Sequence, residues 1–360
     1  MKKEVILAMS GGVDSSVALY LLLEDGYTVK GVTMQNGSLS HQEMLKAEQA
    51  AKRFNIHWDV LHVEKEFEEM VIKPFISDYT KGFTPNPCAI CNKTIKFGFL
   101  FDIMQKRYPD ASFATGHYAR TAKKGHDIFL REAVDSHKDQ SYFLATIRPG
   151  ILNRLIFPIG NYHKREIIQI AKKRSFISDT VSESQDICFI HGNDYKSFLQ
   201  QRGVEGQRGK IINENGEVLG FHEGLFNYTI GQRRGLGITY KERLFVKEMN
   251  PRENNIVLMP LKEMYDNHLR ASQLNRFDSE ARILELSKKM LKCKVKSGSQ
   301  AHDCQIAIDA KHLRVFFKEA VYAITPGQLC VIYDNEGMII ISGIIQQNQT
   351  EVERNNQVHG

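Results

Sequence analysis

The feature of the sequence that most constrains the fold is a glycine-containing loop near the start of the chain, between an apolar run and a helical pattern. The apolar run covers residues 5–9 and is typical of a buried strand. Apolar side chains then recur at helical spacing until Gly26, where a helix is expected to end. The loop, residues 10–16, reads Ser-Gly-Gly-Val-Asp-Ser-Ser. Its glycines allow a sharp turn, and the first turn of the helix offers free N–H groups, so the stretch predicts a cradle for an anion such as a nucleotide phosphate.

A simpler explanation of this loop is an ordinary capped turn, but the crowding of several small polar side chains favours a binding loop. The loop lacks the G-x-x-x-x-G-K-[ST] spacing of Walker A loops and the G-x-G-x-x-G spacing of dinucleotide-binding turns. Its sequence is instead similar to the PP-loop of the ATP pyrophosphatase superfamily. That resemblance implies an enzyme that cuts ATP between its α and β phosphates and adenylates a carbonyl oxygen.

Length and composition place the chain among ordinary globular proteins of two or three domains. It has 360 residues, 42% of them hydrophobic and 25% charged, and a net charge of +6. The basic charge is compatible with a polyanionic partner, although a solvated basic surface explains it almost as well. No apolar run approaches the ~18 residues of a membrane helix, and the N-terminus lacks the pattern of a signal peptide. We therefore expect a cytoplasmic protein that makes no membrane contact and is a monomer by default.

Up to about residue 198, predicted strands alternate with predicted helices. Strands are expected at residues 28–34, 58–63 and 112–115, and helices at residues 42–54 and 64–79. This order is typical of an α/β fold with a doubly wound parallel sheet and right-handed crossovers. Ligands of such sheets bind beyond the carboxyl ends of the strands, which puts Met34 near the loop. A later predicted helix, residues 163–174, carries Lys164 among basic side chains that are typical of a solvated face.

Beyond this region the alternation stops, and the chain is predicted to form two further domains. Glycines recur at short intervals among short strand candidates, which indicates a small central domain, and later strand-like runs, Arg282-Ile283-Leu284 among them, predict a C-terminal β-barrel. The predicted boundaries are residues 1–198, 199–268 and 269–345, followed by a polar tail at residues 346–360.

Six cysteines occur, and in a cytoplasmic chain of this length they do not indicate a disulfide framework. Cys91 follows a proline-rich stretch, and a helix is expected to begin near it. A helix N-terminus, with Lys93 and Lys96 nearby, would lower the pKa of this thiol and favour the reactive thiolate; a half-buried structural cysteine is the alternative. Cys188 stands between apolar residues after a polar run, and the residues alone leave open whether its thiol is reactive or inert.

Several motifs together resemble those of the tRNA-specific 2-thiouridylase family, over residues 5 to about 345. Besides the loop at residues 10–16, they are Thr84-Pro85-Asn86-Pro87 with Cys91-Asn92-Lys93, Ala114-Thr115-Gly116-His117-Tyr118, Lys138-Asp139-Gln140-Ser141-Tyr142-Phe143-Leu144, Ser184-Gln185-Asp186-Ile187-Cys188-Phe189 and Gly231-Gln232-Arg233-Arg234-Gly235-Leu236-Gly237. Agreement in several long motifs in the same order is not expected by chance.

This resemblance implies ATP-dependent thiolation of the wobble uridine, U34, of tRNA. ATP would adenylate the C2 oxygen, a cysteine persulfide would deliver sulfur to C2, and AMP and pyrophosphate would be released. Cys188 would carry the persulfide, and Cys91 would act in sulfur release or close a disulfide with it. The sulfur nucleophile must stay shielded from water until the base is in place, and the uridine would have to leave its stack.

The resemblance also implies binding roles, cofactors and partners. The expected ATP contacts are Ala8, Met9, Ser10, Gly11, Gly12, Val13, Asp14, Ser15, Ser16, Met34 and Gly116. The expected base-pocket residues are Asn86, Pro87 and Cys88, and the expected tRNA contacts are His117, Lys138, Asp139, Gln140, Gln328 and the paired Arg233 and Arg234, whose flexible loop suits a nucleic-acid backbone. Mg²⁺ is expected with ATP. The expected partners are tRNAs for Lys, Glu and Gln and an upstream protein that supplies persulfide sulfur.

One position departs from the family pattern. The family's common form has Asp where this chain has Cys88, so Cys88, Cys91 and Cys188 would place three thiols around one site. Three thiolates can hold an iron–sulfur cluster with one open iron or zinc with a fourth ligand. Thiolation that depends on a [4Fe–4S] cluster is therefore an alternative to the persulfide relay, and no other metal site is predicted.

Two further functions compete with this interpretation. Another PP-loop enzyme, such as an amidotransferase or a different tRNA-modifying ligase, would not need paired thiols. A non-catalytic RNA-binding protein with a degenerate nucleotide loop would bind tRNA but would release no AMP.

Overall fold

Three sheet-containing domains follow one another along the chain. The computed structural model describes residues 3–176, 187–190, 192 and 194–347. It contains an open parallel sheet, then a four-stranded sheet, then a closed barrel, which confirms the predicted fold class. Residues 184–186 of the motif before Cys188 and residues 348–360 of the predicted tail lie outside the described residues. Within the described residues, no helix combines the length and the apolar character that a membrane crossing requires.

The N-terminal domain is built on a five-stranded parallel sheet. The first seven strands of the chain are β1 (Glu4–Ala8), β2 (Thr28–Gln35), β3 (Trp58–His62), β4 (Ser112–Thr115), β5 (Ala119–Lys124), β6 (Asp127–Glu132) and β7 (Leu155–Ile156). Strands β5 and β6 form a separate hairpin, and the others form a sheet in the order β3-β2-β1-β4-β7. Because the order reverses between β1 and β4, a crevice is expected at the carboxyl ends of these two strands, where ligands of such sheets bind.

Helices cover both faces of this sheet. They are α1 (Val13–Glu24), α2 (His41–Arg53), α3 (Glu64–Phe67), α4 (Lys73–Thr80), α5 (Pro87–Cys91), α6 (Phe101–Arg107), α7 (Ser141–Leu144), α8 (Lys164–Lys173) and α9 (Tyr195–Gln201), with π-helical stretches at Glu68–Ile72 and Asn92–Leu100. Val5 and Leu7 of β1 pack on one side with Val17 of α1, whereas Ile6 packs on the other side with Phe97. This period-two alternation with both faces buried is what a doubly wound sheet requires.

The central domain is a four-stranded sheet with its own apolar core. Its strands are β8 (Gly209–Asn213), β9 (Val218–His222), β10 (Leu244–Asn250) and β11 (Asn255–Pro260), in the order β10-β11-β8-β9. Ile211, Val246, Ile256 and Leu258 are fully buried between this sheet and the loops that cross it. These side chains fix the position of the glycine-rich loop that follows β9.

The C-terminal domain is a closed antiparallel barrel. Its strands are β12 (Tyr265–Arg276), β13 (Leu291–Lys294), β14 (His302–Ile308), β15 (Leu313–Tyr322), β16 (Leu329–Tyr333) and β17 (Ile339–Ile345), in the order β12-β15-β14-β13-β16-β17. The prediction of a strand at residues 282–284 is wrong, because these residues lie in helix α10 (Glu280–Leu286). The side chain of Ser279 accepts a hydrogen bond from the N–H of Arg282 and caps this helix.

The barrel packs directly against the N-terminal domain. Phe277, Val331 and Ile339 of the C-terminal domain belong to the same apolar core as the helices on one face of the parallel sheet. The hydroxyl of Tyr142 donates to the carbonyl O of Leu329 at 3.0 Å. The barrel is thus fixed beside the segment that carries the predicted tRNA contacts at residues 138–140.

Candidate active site

The loop at residues 10–16 joins β1 to α1 at the point where the strand order reverses. Gly11 has a backbone φ of +74°, which favours glycine. A Cβ at this position would lie 2.3 Å from the carbonyl O of Glu43, so α2 packs against the loop and fixes its path. Gly12 caps α1 without any side-chain hydrogen bond and is exposed. No capping side chain therefore competes with an anion for the first N–H groups of the helix.

The serines of this loop divide into two kinds. Ser15 and Ser16 are buried, and their hydroxyls donate to the carbonyl O of Gly12 at 2.9 and 3.0 Å, so they hold the shape of the loop. Ser10 is exposed, and its Oγ accepts from the N–H of Gly12 at 3.4 Å. Only Ser10 therefore presents a serine side chain at the exposed rim of the predicted ATP site.

The other predicted ATP contacts lie at the same edge of the sheet. Ala8 ends β1, Met9 is buried behind the loop, and Val13 begins α1. Met34 lies near the carboxyl end of the neighbouring strand β2 and is half-buried. The structure thus brings together the residues assigned to ATP, although their contacts with the nucleotide stay a prediction.

Gly116 follows β4 and packs against the start of α1. A Cβ at Gly116 would lie 3.0 Å from the backbone N of Ser15 and 3.1 Å from the carbonyl C of Asp14. The sequence predicted that this glycine admits a ligand. Gly116 is also needed for the close packing of two segments of the site, because a side chain here would meet the backbone of the loop, and its contact with a ligand stays a prediction.

Asp14 is held by two residues from distant parts of the chain. The ammonium of Lys164 lies 2.8 and 2.9 Å from the two carboxylate oxygens of Asp14, and the hydroxyl of Tyr118 donates to one of them at 2.9 Å. The prediction that Lys164 belongs to a solvated face is therefore wrong. Its side chain is only 13% exposed, because α8 begins beside α1 and points this residue into the loop region.

The three thiols of the predicted site differ in exposure. Cys91 is buried, whereas Cys88 and Cys188 are exposed. The Nδ2 group of Asn36, directly after β2, contacts Sγ of Cys188 at 3.9 Å. Cys188 opposes the ionisation of both Cys88 and Cys91, and so contributes to the raised pKa of each. The three thiols are thus within electrostatic range of one another, and Cys188 lies beyond the carboxyl end of β2.

The prediction of a lowered pKa for Cys91 is wrong. Burial raises the pKa of the Cys91 thiol to about 11, and although Lys96 lowers this pKa as expected, desolvation outweighs it. The helix also begins at Pro87 instead of Cys91 and continues without interruption into the π-helical stretch. Cys91 therefore ends the first helical segment and does not receive the full field of a helix N-terminus. The pKa of Cys88 is raised as well, because the surrounding protein desolvates its thiol even though part of the residue is exposed.

The predicted base-pocket segment is fixed from both sides. Asn86 is buried, and its Oδ1 accepts from the N–H of Ala89 at 3.0 Å, which caps α5. The Nε2 group of Gln328, from the barrel, donates to the carbonyl O of Thr84 at 2.8 Å. Pro87 is buried at the start of the helix that carries Cys88 and Cys91. The barrel thus helps to position the segment that leads to both thiols.

The remaining predicted tRNA contacts lie in two groups. In the N-terminal domain, His117, Lys138 and Gln140 are half-buried. The side chain of Asp139 is buried, and its carboxylate accepts a hydrogen bond from Lys294 of the barrel at 2.9 Å. Arg233 and Arg234 are exposed in the central domain, beside a cavity of about 410 Å³. The roles of both groups in tRNA contact stay predictions.

His117 is a neutral side chain inside the site. Burial, and then the positive charge of Lys96, lower the pKa of His117 well below 6.5. Its Nδ1 lies 2.7 Å from Oγ1 of Thr115. A neutral imidazole contacts RNA through a hydrogen bond or stacking instead of through charge.

The three thiols do not form a metal site. In the part of the chain that the structure describes, no three or more His, Cys, Asp or Glu side chains are arranged to hold a metal ion. Cys88, Cys91 and Cys188 therefore do not form a group that could hold a single metal ion such as zinc, and the route through an iron–sulfur cluster stays an alternative prediction.

Two residues of the site were not predicted from the sequence. Asn36 directly follows a predicted strand of the parallel sheet, so its position at the carboxyl end was the signal that could have found it. Lys164 had no such local signal, since its partner Asp14 lies 150 residues earlier in the chain.

The fold and the loop define an α/β nucleotide-binding domain followed by two β domains, and three family descriptions match them in order. These are the tRNA methyl transferase HUP domain at residues 3–192, the tRNA methyl transferase PRC-barrel domain at residues 196–260 and the aminomethyltransferase beta-barrel domain at residues 266–345. Relatives at 37–39% identity over 95–96% of this chain show that the chain belongs to the tRNA-specific 2-thiouridylase family.

Relatives that carry this name match nearly the whole chain. The tRNA-specific 2-thiouridylase MnmA of Fervidobacterium nodosum is 39% identical over 96% of this chain and 100% of the relative. The protein of the same name from Dehalococcoides mccartyi is 39% identical over 95% of this chain and 96% of its own. The protein of the same name from Thermotoga maritima is 37% identical over 95% of this chain and 99% of its own. These matches confirm the resemblance inferred from the motifs.

Proposed function

We propose that this chain catalyses the ATP-dependent 2-thiolation of the wobble uridine of tRNA. The observation that carries the proposal is the placement of the exposed thiol of Cys188 against Asn36, at the end of the strand next to the nucleotide loop. A nucleotide loop and a sulfur carrier at one edge of a sheet are what adenylation followed by sulfur transfer requires. The names of the relatives support the same reaction.

The first chemical step uses ATP. The C2 oxygen of uridine attacks the α-phosphorus, the bond to pyrophosphate breaks, and an adenylated base forms. The N–H groups at the start of α1 and the exposed hydroxyl of Ser10 would hold phosphate oxygens. Mg²⁺ is expected to arrive with ATP as part of the substrate complex.

The second step transfers sulfur. The outer sulfur of a persulfide on Cys188 attacks C2, and AMP leaves with the original oxygen. The thiol of Cys91 then loses its proton and attacks Sγ of Cys188, the persulfide S–S bond breaks, and 2-thiouridine is released as a Cys91–Cys188 disulfide forms. An external thiol must reduce this disulfide before the next turnover. Because the pKa of Cys91 is about 11, its thiolate fraction near neutral pH is small, and this step is faster when a base removes the proton.

The partners follow from the same proposal. The substrates would be the tRNAs for Lys, Glu and Gln, and a donor protein would load the persulfide on Cys188, whose exposure in the structure suits such a transfer. A cytoplasmic location and a monomeric state stay predictions from the sequence.

The test is a reconstituted assay for 2-thiouridine. Unmodified tRNA, a persulfide-generating system and the full chain are incubated with and without ATP, and both 2-thiouridine and AMP are measured. We expect product only with ATP, and loss of product in Cys188→Ser and Cys91→Ser. Cys304→Ala is the control, because this thiol is buried in the barrel. Activity that survives both serine variants would support a different PP-loop ligase, and tRNA binding without AMP release would support a non-catalytic RNA-binding protein.

A further inference from the structure

Asp139 is the centre of a buried polar network between the N-terminal domain and the barrel. Its carboxylate is 2% exposed. One oxygen accepts from the N–H groups of Ala133 and Ser141 at 3.0 and 3.2 Å, and the other accepts from the hydroxyl of Ser141 at 2.8 Å and from Lys294 at 2.9 Å. A carboxylate occupied in this way has little capacity left for an outside ligand.

Lys294 is the barrel's contribution to this network. It ends β13, is 12% exposed, and places its ammonium 2.8 Å from Glu132 as well as 2.9 Å from Asp139. Burial alone would lower the pKa of Lys294, but the two carboxylates outweigh it and raise this pKa. The ammonium therefore neutralises charge that would otherwise be buried at the domain boundary, where an unpaired carboxylate is strongly destabilising.

The residue after Asp139 connects the network to the nucleotide loop. Gln140 donates its N–H to the carbonyl O of Tyr118 at 2.8 Å, and its side-chain oxygen accepts the N–H of Tyr118 at 3.0 Å. The hydroxyl of Tyr118 in turn donates to Asp14 at 2.9 Å. Two residues before Tyr118, Gly116 packs against the backbone of Ser15. A continuous series of short contacts thus runs from the barrel to residues 14 and 15.

We propose that Lys294 is a positioning residue through which the barrel sets the geometry of the nucleotide loop. Lys294 fixes Asp139, Asp139 fixes the segment that contains Gln140, and Gln140 fixes Tyr118 beside Asp14. The inference rests on the proposed binding of ATP by this loop, and it adds a role for a residue of a different domain. It also gives Asp139 a role in place of the tRNA contact that the family resemblance implies.

A second ion pair between the same two domains provides a matched control. Lys124 of the β5–β6 hairpin lies 2.8 Å from Glu336 of the barrel, and both side chains are well exposed. The hydrogen bonds of this pair do not involve Gln140 or Tyr118. If removing a lysine weakened nucleotide binding only by loosening the contact between the two domains, replacing Lys124 and replacing Lys294 would have the same effect.

The experiment measures binding of an ATP analogue with a methylene bridge between its α and β phosphates to the full-length chain. We expect Lys294→Met to raise the Kd about tenfold, because it leaves two carboxylates without their cation and releases the segment. Lys294→Arg should stay within about threefold of the original chain, and Lys124→Met within about twofold. The double variant Lys294→Met with Asp139→Asn should bind no more weakly than Lys294→Met, since the two residues act in series.

The thermal midpoint, measured in parallel, separates positioning from a purely structural role. A lower midpoint with unchanged analogue binding in Lys294→Met would overturn the inference. If Lys294→Met does not fold, Asp139→Asn tests the same inference. Unchanged binding of the analogue in Asp139→Asn would also overturn the inference. If the original chain does not bind the analogue at all, the proposed function fails, and the inference fails with it.

Discussion

The side-chain amide of Asn36 lies 3.9 Å from the sulfur of Cys188, although 152 residues separate them in the chain. Asn36 follows β2, which is the neighbour of β1 and of the nucleotide loop. Its N–H group is a donor, so it favours negative charge on the sulfur, whether that charge is a thiolate or a persulfide anion. The contact is therefore suited to keeping Cys188, the proposed sulfur carrier, nucleophilic at the edge where ATP is expected to bind.

Replacing this donor by a carboxylate should make Cys188 less reactive. In Asn36→Asp a negative charge stands about 4 Å from the sulfur, which opposes the thiolate, and we expect alkylation of Cys188 by iodoacetamide to slow about fivefold at pH 8. Asn36→Ala removes only the donor and should slow it about twofold. Quantification of the labelled peptide by mass spectrometry gives the rates. Equal rates in the two variants would show that charge at this position does not control the thiol.

The buried thiol of Cys91 should react slowly in the free chain. With a pKa of about 11, only about one thiol in a thousand is ionised at pH 8, and the alkylation rate should rise about tenfold per pH unit up to that value. Lys96 lowers this pKa, so Lys96→Met should slow the labelling of Cys91 further. Peptide mapping after timed labelling at pH 7, 8 and 9 provides the measurement. A rate that is flat over this range would contradict the raised pKa.

The sequence was sufficient where a local pattern determines the structure. Strand β1, the loop and α1 were predicted close to their observed bounds, because the apolar run, the glycines and the helical spacing are adjacent in the chain. The wrong prediction of a strand at residues 282–284 also had a local cause. Ser279 is a helix-capping residue that could have indicated the helix, but the apolar side chains after it were interpreted as a strand.

The sequence was insufficient where packing between distant segments decides the outcome. The pKa of Cys91 is set by the side chains that bury it, and proximity to Lys96 in the sequence pointed in the opposite direction. Lys164 looked like one cation of a solvated helix face until the fold put α8 beside α1. Nothing in the sequence indicated that Lys294 of the barrel pairs with Asp139, because 155 residues separate the two.

A methyl group at Gly116 should damage nucleotide use specifically. In Gly116→Ala the new Cβ would lie 3.0 Å from the backbone N of Ser15, and since backbone cannot rotate away, the start of α1 must shift. We expect kcat/KM for ATP to fall about tenfold while the Kd for tRNA changes less than twofold. Gly150→Ala is the matched control, because nothing lies within 4 Å of its Cβ position. An equal loss in both variants would mean that the effect is not local to the loop.

Removing the cation that holds Asp14 should also impair ATP use. Lys164→Met breaks the contacts of 2.8 and 2.9 Å and leaves Asp14 with an uncompensated charge beside the expected phosphate site. We expect kcat/KM for ATP to fall at least about tenfold, partly through repulsion of the phosphates. Lys173→Met, at an exposed position of the same helix, should have little effect. Pyrophosphate release with saturating tRNA measures both, and a similar loss in the two variants would indicate general damage to α8.

The half-buried imidazole of His117 should make the chain less stable in acid. Its pKa in the folded chain is well below the 6.5 of the unfolded chain, so the unfolded state binds more protons over that interval. The stabilisation that comes from the neutral imidazole is fully present above pH 6.5 and is lost as the pH falls toward the pKa of His117 in the folded chain. The loss in the free energy of unfolding is at most about 2 kcal/mol at pH 5. His222 and His302 also have lowered pKa values and act in the same direction.

The difference between the original chain and His117→Asn therefore isolates one residue. Thermal midpoints at pH 7.5 and 5 should fall further in the original chain than in the variant, and parallel falls would show that His117 is protonated in the folded state.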